Sequence, residues 1–292
     1  EFIRQVNRVK AAVISQSGNL VPADKRLYAL RDLTATVDSI PLIASSIMSK
    51  KLASGAAAIV LDVKVGQGAF MKDLPSARAL AELMVAIGTG AGRKMVAVLT
   101  DMEQPLGNMV GNALEVREAM DTLRGQGPRD LKELSLHLAA EMILLGEKAG
   151  TFEAAMSQAV DMLSSGAAAD KLRQMVAWQG GSWDEEKPAY GLPEADCKQE
   201  VYASESGFVQ GIDAFAIGRA AMYLGAGRES LSDVIDHAVG VELLKKRGDR
   251  VDKGEPLAIM HYNRSERMNT ARELITQAFQ LGSSALPPIP LI

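Results

Sequence analysis

Three polar side chains in one short stretch of the sequence could together bind a flat heterocyclic ring. Arg31 carries a planar guanidinium, and Ser46 and Lys50 add a hydroxyl and an ammonium. Because residues four apart share one face of a helix, Ser46 and Lys50 should lie about one turn apart. These groups could hydrogen-bond carbonyl and imide groups at the edge of a ring and stabilise negative charge that forms on it.

The same residues also allow a purely structural interpretation. In it, Lys50 and Lys51 are solvated cations that complement a helix dipole, and Arg31 pairs with Asp32 or Asp38. Composition alone favours this second interpretation, because cations are common in the last turn of helices.

The segment that must position two of these side chains has the signals of a helix. Asp38 or Ser39 can cap its N-terminus, Pro41 fits its first turn, and Gly55 can end it. We therefore expect a helix over residues 39–54.

Two loops follow predicted strands and could bind ligands. The loop 62–71, DVKVGQGAFM, has two glycines that allow close approach to a phosphate or sugar, although glycines are also usual in a strand-to-helix turn. The loop 100–112 leads into a helix with Glu115 and Glu118. Its carbonyls and one carboxylate could bind a hard cation, although solvent-facing glutamates are the commoner explanation.

The first half of the chain alternates between short apolar runs and amphipathic stretches. Strands are predicted at residues 10–15, 57–65 and 95–101, and helices at about 75–90 and 112–123. This alternation predicts an α/β fold with a mainly parallel central sheet flanked by helices.

The second half changes character twice. Residues 129–176 show three helical segments, each ended by glycine, and a Gly-, Pro- and acid-rich stretch at 180–198 is interpreted as a linker. Short β-rich segments joined by tight turns follow it, so residues 199–292 are expected to form an α+β domain with a barrel-sandwich-like part.

Composition argues against several classes of protein. The net charge of the 292 residues is -4 with no long basic run, so a nucleic acid is not expected as the main partner. Cys197 is the single cysteine, which excludes an internal disulfide and predicts a reducing, cytoplasmic location. The three histidines have no metal-ligand spacing and no triad partner nearby, and no apolar run is long enough to span a membrane.

Four blocks of the sequence resemble pyrimidine-nucleoside phosphorylases and the sister thymidine phosphorylases. They are residues 19–55, 59–71, 101–128 and 240–258, and the first, NLVPADKRLYALRDLTATVDSIPLIASSIMSKKLASG, is the most specific. The resemblance extends over about residues 1–282, nearly the whole chain.

This resemblance implies a catalytic role for the polar cluster. In the family, an arginine, a serine and a lysine of this motif hold the pyrimidine base, and they fall on Arg31, Ser46 and Lys50. Inorganic phosphate is the co-substrate of a reversible phosphorolysis that gives a free base and a pentose 1-phosphate, and no redox cofactor takes part. Arg31 and Lys50 would stabilise charge on the departing base, and Ser46 would bond its imide nitrogen.

The resemblance also implies a potassium ion and a homodimer. By position, the potassium ligands are the backbone carbonyls of Leu106 and Met109 and the carboxylate of Glu118.

The chain departs from the family in one respect. It contains neither the Lys-His-Ser-Thr-Gly-Gly phosphate motif nor the Ser-Gly-Arg and Gly-Gly-Thr signature. We therefore expect the C-terminal two thirds of a phosphorylase, inactive without its missing N-terminal segment. The expected domains are a large α/β domain, a segment of a small helical domain and the C-terminal α+β domain, at residues 1–22 with 54–190, 23–53 and 199–292.

Two other functions stay open at this point. The chain could be a noncatalytic fragment that binds the base without turnover, or a phosphoribosyltransferase of the related anthranilate type. The specificity of the Arg31, Ser46 and Lys50 block argues against the second.

Overall fold

The computed structural model describes residues 2–14, 21–34, 36, 39–230, 232–284, 287 and 289–292, with only the backbone at residues 29 and 31–34. The chain divides into two compact units. One contains Glu1–Thr100 and Glu133–Trp178 together with Ile292, and the other contains Asp101–Lys132 and Gln179–Leu291.

Helices dominate the chain up to Trp178. The elements in chain order are α1 (Phe2–Val9), α2 (Pro22–Thr34), α3 (Ile40–Ala53), β1 (Ala58–Val65), α4 (Leu74–Gly90), β2 (Lys94–Asp101), β3 (Met109–Gly111), α5 (Asn112–Leu123), α6 (Arg129–Leu145), α7 (Phe152–Ser164) and α8 (Ala167–Trp178).

Short strands dominate the rest of the chain. These elements are a 3-10 turn (Pro188–Gly191), β4 (Cys197–Tyr202), β5 (Gly207–Ile212), α9 (Ala214–Ala221), a π-helical turn (Met222–Ala226), β6 (Gly240–Leu243), β7 (Arg250–Val251), β8 (Pro256–Tyr262), α10 (Met268–Ala278) and β9 (Phe279–Gly282).

The core of the first unit forms between β1 and the helices α3 and α4. β1 and β2 make a two-stranded sheet with α4 as the crossover, and they run parallel, because the Lys94 amide at the start of β2 donates to the Ala57 carbonyl just before β1 at 3.1 Å. Alternate β1 side chains are buried, and they join one apolar cluster with α3 and α4; its members include Ile43, Ala44, Met48, Ile59, Leu61, Val63, Leu80 and Met84. This packing gives α3 its fixed place.

The predicted strand at residues 10–15 is wrong over its described part, residues 10–14. Lys10 ends α1 in the left-handed conformation, with φ 69°, and the next four residues are irregular. The side chains of Val13 and Ile14 are largely exposed. A short apolar run becomes a buried strand only when neighbouring elements cover it, and the run itself does not encode that cover.

The second unit contains two antiparallel sheets. The four-stranded sheet has the order β3-β6-β8-β4, and the three-stranded sheet has the order β7-β5-β9. Both sheets and the helices α9 and α10 share one apolar cluster, whose most buried members include Val209, Ile217, Val239, Val241, Met260 and Ile275. The mixed α/β class is thereby confirmed, with β1–β2 as the parallel pair and an α+β C-terminal part.

A buried histidine pairs with a carboxylate inside the four-stranded sheet. His261 on β8 is almost completely buried, and its Nε2 lies 2.9 Å from Oε2 of Glu242 on β6. The hydrogen bond with His261 lowers the pKa of Glu242 below its ordinary value of 4.5, against the opposing effect of desolvation. The pair therefore stabilises the fold while Glu242 is charged.

We predict that Glu242→Gln destabilises the protein by about 1 kcal/mol at pH 7, because a hydrogen bond to a charged acceptor becomes a neutral one. A lowered carboxylate pKa contributes stability that is complete above 4.5 and is lost as the pH falls through the folded-state value. Urea unfolding at pH 7 and pH 3 should show the difference shrinking at the lower pH. Glu200→Gln on the neighbouring strand, where the carboxylate is exposed, should change little at either pH.

Candidate functional site

The structure brings Ser46 and Lys50 together on α3. The Lys50 ammonium donates to the Ser46 hydroxyl at 2.9 Å and to the Ser46 backbone carbonyl at 2.9 Å. Ser46 is 6% exposed and the Lys50 side chain 30% exposed, whereas Lys51 points to solvent. Lys50 is therefore a partly buried, fully coordinated cation rather than a solvated one.

A third partner of Lys50 comes from α2. Asp24 accepts from the Lys50 ammonium at 2.6 Å, and the Asp24 carboxylate is 11% exposed. A lysine ammonium has three protons, and Asp24 together with the two Ser46 oxygens accepts all of them. Sequence reasoning missed Asp24, whose only signal was its place in the first turn of a helix.

Arg31 lies on α2, but its side chain is outside the described part of the structure. Its position in the helix follows Asp24 by seven residues, which is nearly two full turns. Arg31 and Asp24 thus occupy the same face of α2. Asp38 and the Asp32 side chain, named as structural partners of Arg31, also lie outside the described residues.

The helix α3 begins and ends close to the predicted positions. Ser39 is the N-cap residue, although its side chain makes no capping bond, and Pro41 lies in the first turn. Ser54 caps the C-terminus, and Gly55 follows with φ 78°, a conformation that favours glycine.

The predicted ligand loop after β1 closes on itself. The Gly66 amide donates to the Met71 carbonyl at 3.0 Å, and the Ala69 amide donates to the Gly66 carbonyl at 3.0 Å. Lys72 donates to the Gln67 carbonyl at 2.7 Å. Two of the loop's amides are thereby committed to the turn, which agrees with its structural interpretation.

A polar pair that the sequence did not reveal joins β1 to β2. The Thr100 hydroxyl, almost fully buried, donates to Oδ1 of Asp62 at 2.5 Å. Lys64 lies 2.7 Å from Oδ2 of the same carboxylate. The Thr100–Asp62 bond therefore joins the carboxyl-terminal halves of the two strands, and Lys64 pairs with the same carboxylate from within β1.

Glu118, rather than Glu115, is the buried carboxylate of the second loop. Glu118 is 6% exposed, and its two oxygens accept from the amides of Asn108 at 2.8 Å and Met109 at 3.4 Å. Desolvation raises the pKa of Glu118 despite these bonds. Glu115 is exposed, and it accepts from the Gly111 amide at 3.1 Å.

The backbone carbonyl of Met109 points to the same side as Glu118. β3 pairs with β6 so that the Asn108 carbonyl accepts from Leu243 at 2.7 Å and Met109 stands opposite Glu242. In an antiparallel pair, every second residue directs its amide and carbonyl to the partner strand, and the residues between them direct both groups away. Met109 is one of the residues between, so its amide and carbonyl face away from β6. Its amide reaches Glu118, and its carbonyl lies on that side too.

A hard cation fits this donor set. The Glu118 carboxylate and the Met109 carbonyl are oxygen ligands of the kind that alkali and alkaline-earth ions prefer, and the Leu106 carbonyl is the further ligand that the family resemblance implies. Burial raises the pKa of the Glu118 carboxylate, because it disfavours the charged form. A nearby positive charge would stabilise that charged form. The absence of a side chain at Gly107 gives the Glu118 carboxylate the space it occupies. Gly107 has φ 68°, and a Cβ there would lie 2.3 Å from Oε2 of Glu118.

Comparison with known families gives two matches. A family model described as glycosyl transferase family, a/b domain, matches residues 1–169, and one described as pyrimidine nucleoside phosphorylase C-terminal domain matches residues 208–282. The chain thus combines the two domain types that these families describe, in this order along the sequence. The chain belongs to the pyrimidine-nucleoside phosphorylase family.

Curated relatives agree with this family. The pyrimidine-nucleoside phosphorylase of Bacillus subtilis (strain 168) is 55% identical over 264 residues, which cover 90% of this chain and 61% of the relative. The enzyme of the same name from Geobacillus stearothermophilus is 51% identical over 292 residues, 100% of this chain and 67% of the relative. The chain thus spans roughly two thirds of these relatives, and the anthranilate-type alternative is not favoured.

We predict that Gly107→Ala destabilises the protein more than Gly125→Ala does. Both glycines have a left-handed backbone, so both changes carry a strain of about 1–2 kcal/mol. A Cβ at Gly125 meets open space, whereas one at Gly107 collides with Glu118 and must displace its carboxylate. Urea unfolding of the two variants should separate them, and equal losses would contradict the close packing of Gly107 on Glu118.

Proposed function

We propose that the chain is the base-binding and cation-binding part of a pyrimidine-nucleoside phosphorylase. The reaction is the reversible phosphorolysis of uridine, thymidine or deoxyuridine to a free base and ribose or deoxyribose 1-phosphate. The observation that carries the proposal is the partly buried Lys50–Ser46 pair on α3, in a chain of this family. A pyrimidine has the carbonyl and imide edge that these donors suit.

Lys50 and Arg31 act on charge that develops during the reaction. As the glycosidic bond breaks, the departing pyrimidine becomes negative, and cations aimed at its oxygens stabilise the transition state more than the ground state. The Ser46 hydroxyl accepts from Lys50 through one lone pair, which leaves its second lone pair to accept from the N–H of the imide. Lys50 thereby orients Ser46 as well as acting itself.

Base binding requires an exchange at Lys50. All three ammonium protons already have acceptors, so a pyrimidine oxygen has to replace one of them. Asp24 is the acceptor that comes from another helix. We propose that the base displaces Asp24 and that the Ser46 contacts persist.

The remaining components follow from the family. Inorganic phosphate is the co-substrate, and its Lys-His-Ser-Thr-Gly-Gly site comes from a segment that this chain does not contain. Potassium is held by Leu106, Met109 and Glu118, where it adds a fixed positive charge that organises the loop. The full-length enzyme is a cytoplasmic homodimer. Among the described helices, none is long and apolar enough to cross a membrane.

We predict that Lys50→Met in the full-length enzyme lowers kcat by about 30- to 900-fold, which corresponds to the loss of about 2–4 kcal/mol of transition-state stabilisation. Arg31→Ala should act similarly, and Ser46→Ala less, because its contact is neutral and also present in the ground state. Lys51→Met is the matched control, since Lys51 adjoins Lys50 on α3 but is exposed.

Phosphate-dependent release of uracil and thymine measures these effects. A larger loss of kcat in Ser46→Ala than in Lys50→Met would overturn the roles assigned here. Phosphorolysis by the 292-residue chain alone would refute the proposal that the phosphate site is supplied from outside it. Base binding without turnover in the full-length enzyme would support the noncatalytic alternative.

We predict that Glu118→Gln weakens potassium binding by about tenfold or more, a cost of about 1.4 kcal/mol. The variant loses one formal charge, and the carbonyls of Leu106 and Met109 remain. A ligand that binds only the folded state raises its stability, so the melting temperature should rise with potassium in wild type and respond only at higher concentrations in the variant. Glu115→Gln is the control, and a response of Glu118→Gln equal to wild type would remove Glu118 from the site.

A further inference from the structure

A second ammonium is bound inside the turn that leads to Glu118. The Lys246 ammonium donates to the carbonyls of Pro105 at 2.6 Å and Gly107 at 2.7 Å, and it lies 2.9 Å from Oδ2 of Asp130. Its side chain is only 21% exposed. Lys246 lies on the connection between β6 and β7, about 140 residues away in sequence, so this contact is purely tertiary.

Lys246 and Asp130 hold Gly107 through both of its backbone groups. The Gly107 carbonyl accepts from Lys246, and the Gly107 amide donates to Oδ2 of Asp130 at 3.1 Å. The connection touches the same loop a second time, where the Arg247 amide donates to the side chain of Gln104 at 2.9 Å. The turn is therefore fixed from this side by charged partners.

Glu118 binds the two residues that follow Gly107 in the turn, Asn108 and Met109. Its carboxylate accepts from the amides of Asn108 and Met109, directly after the two carbonyls that Lys246 binds. Both an ammonium and a carboxylate thus bind the backbone of the turn. In the described part of the chain, the carbonyls of Pro105 and Gly107 accept from Lys246, and that of Asn108 accepts from Leu243. No hydrogen bond there uses the carbonyls of Leu106 and Met109, which are the ones proposed to bind a second cation.

We propose that Lys246 is a positioning residue for the potassium site, an inference that rests on the cation site of the proposed function. Lys246 belongs to the C-terminal family domain and the turn to the glycosyl transferase domain. The C-terminal domain therefore contributes to cation binding without supplying a ligand.

Positioning and charge repulsion predict opposite effects of removing Lys246. An ammonium near the site opposes a second cation, so if repulsion dominated, Lys246→Met would bind potassium more tightly. The Asp130 carboxylate at 2.9 Å already neutralises much of that charge, and the backbone contacts are lost with the side chain. We therefore expect weaker binding.

The test is a potassium titration of the melting temperature at constant ionic strength, with choline chloride as the balancing salt. The variants are Lys246→Met, the conservative Lys246→Arg, and Lys245→Met as a matched control. Lys245 is the adjacent residue and 19% exposed, but it pairs with Glu255 at 2.5 Å, and no hydrogen bond or ion pair joins it to the turn among the described residues.

Lys246→Met should shift the potassium midpoint at least tenfold upward, Lys246→Arg should recover part of that shift, and Lys245→Met should keep the wild-type midpoint. A purely structural role would lower the melting temperature at every potassium concentration and leave the midpoint unchanged, and that result would overturn the inference. Tighter binding in Lys246→Met would overturn it as well. A wild type that does not respond to potassium would instead reject the cation site itself.

Discussion

The first unit depends on the coordination of one partly buried cation, Lys50, whose side chain is 30% exposed. The ammonium of Lys50 needs three acceptors, and an unpaired charge in such a place is costly. A single helix supplies two acceptors, both from Ser46, and the third comes from Asp24 on α2. α3 packs on β1 and α4 in one apolar cluster, which fixes the position of the helix. The apolar core therefore determines where the Lys50 ammonium and the Ser46 hydroxyl lie.

The second unit solves the same problem in another way. Lys246 also has three acceptors, but two are backbone carbonyls of an irregular turn. Carbonyls in a turn are free of the helix and sheet ladders, so they can point inward to a cation. The Lys50 ammonium orients a hydroxyl, because one of its acceptors is the Ser46 side chain. The Lys246 ammonium fixes the conformation of a loop, because two of its acceptors are backbone carbonyls.

Local features of the site were predictable from the sequence, and long-range ones were not. The proximity of Ser46 and Lys50 follows from helical spacing, and α3 followed from Pro41 and Gly55. Asp24 is 26 residues from Lys50, and no spacing rule connects them. The residue pattern alone left Glu115 and Glu118 open, and the family resemblance named Glu118. Its burial depends on which face of α5 is covered, and the pattern does not show that.

The fold shows the same division. The strands β1 and β2 and the helix between them were predictable, because alternating burial and glycine-ended helices are local patterns. The prediction of a strand at residues 10–15 was wrong over residues 10–14, because an apolar run does not show whether other elements will pack against it. The antiparallel C-terminal sheets were recognisable from turns such as Gly254, but their strand order was not.

The three-residue strand β3 has a consequence for how separable the two family domains are. It belongs to the glycosyl transferase match at residues 1–169, yet it forms the outer strand of the sheet β3-β6-β8-β4, next to β6 of the C-terminal match. Excision of the C-terminal match alone would uncover the backbone groups of β6, and an open, apolar sheet edge invites pairing with another chain. The boundary between the two family matches therefore passes through one compact unit, and gene fusions or truncations made at that boundary would leave a module with an exposed sheet edge that is prone to aggregation.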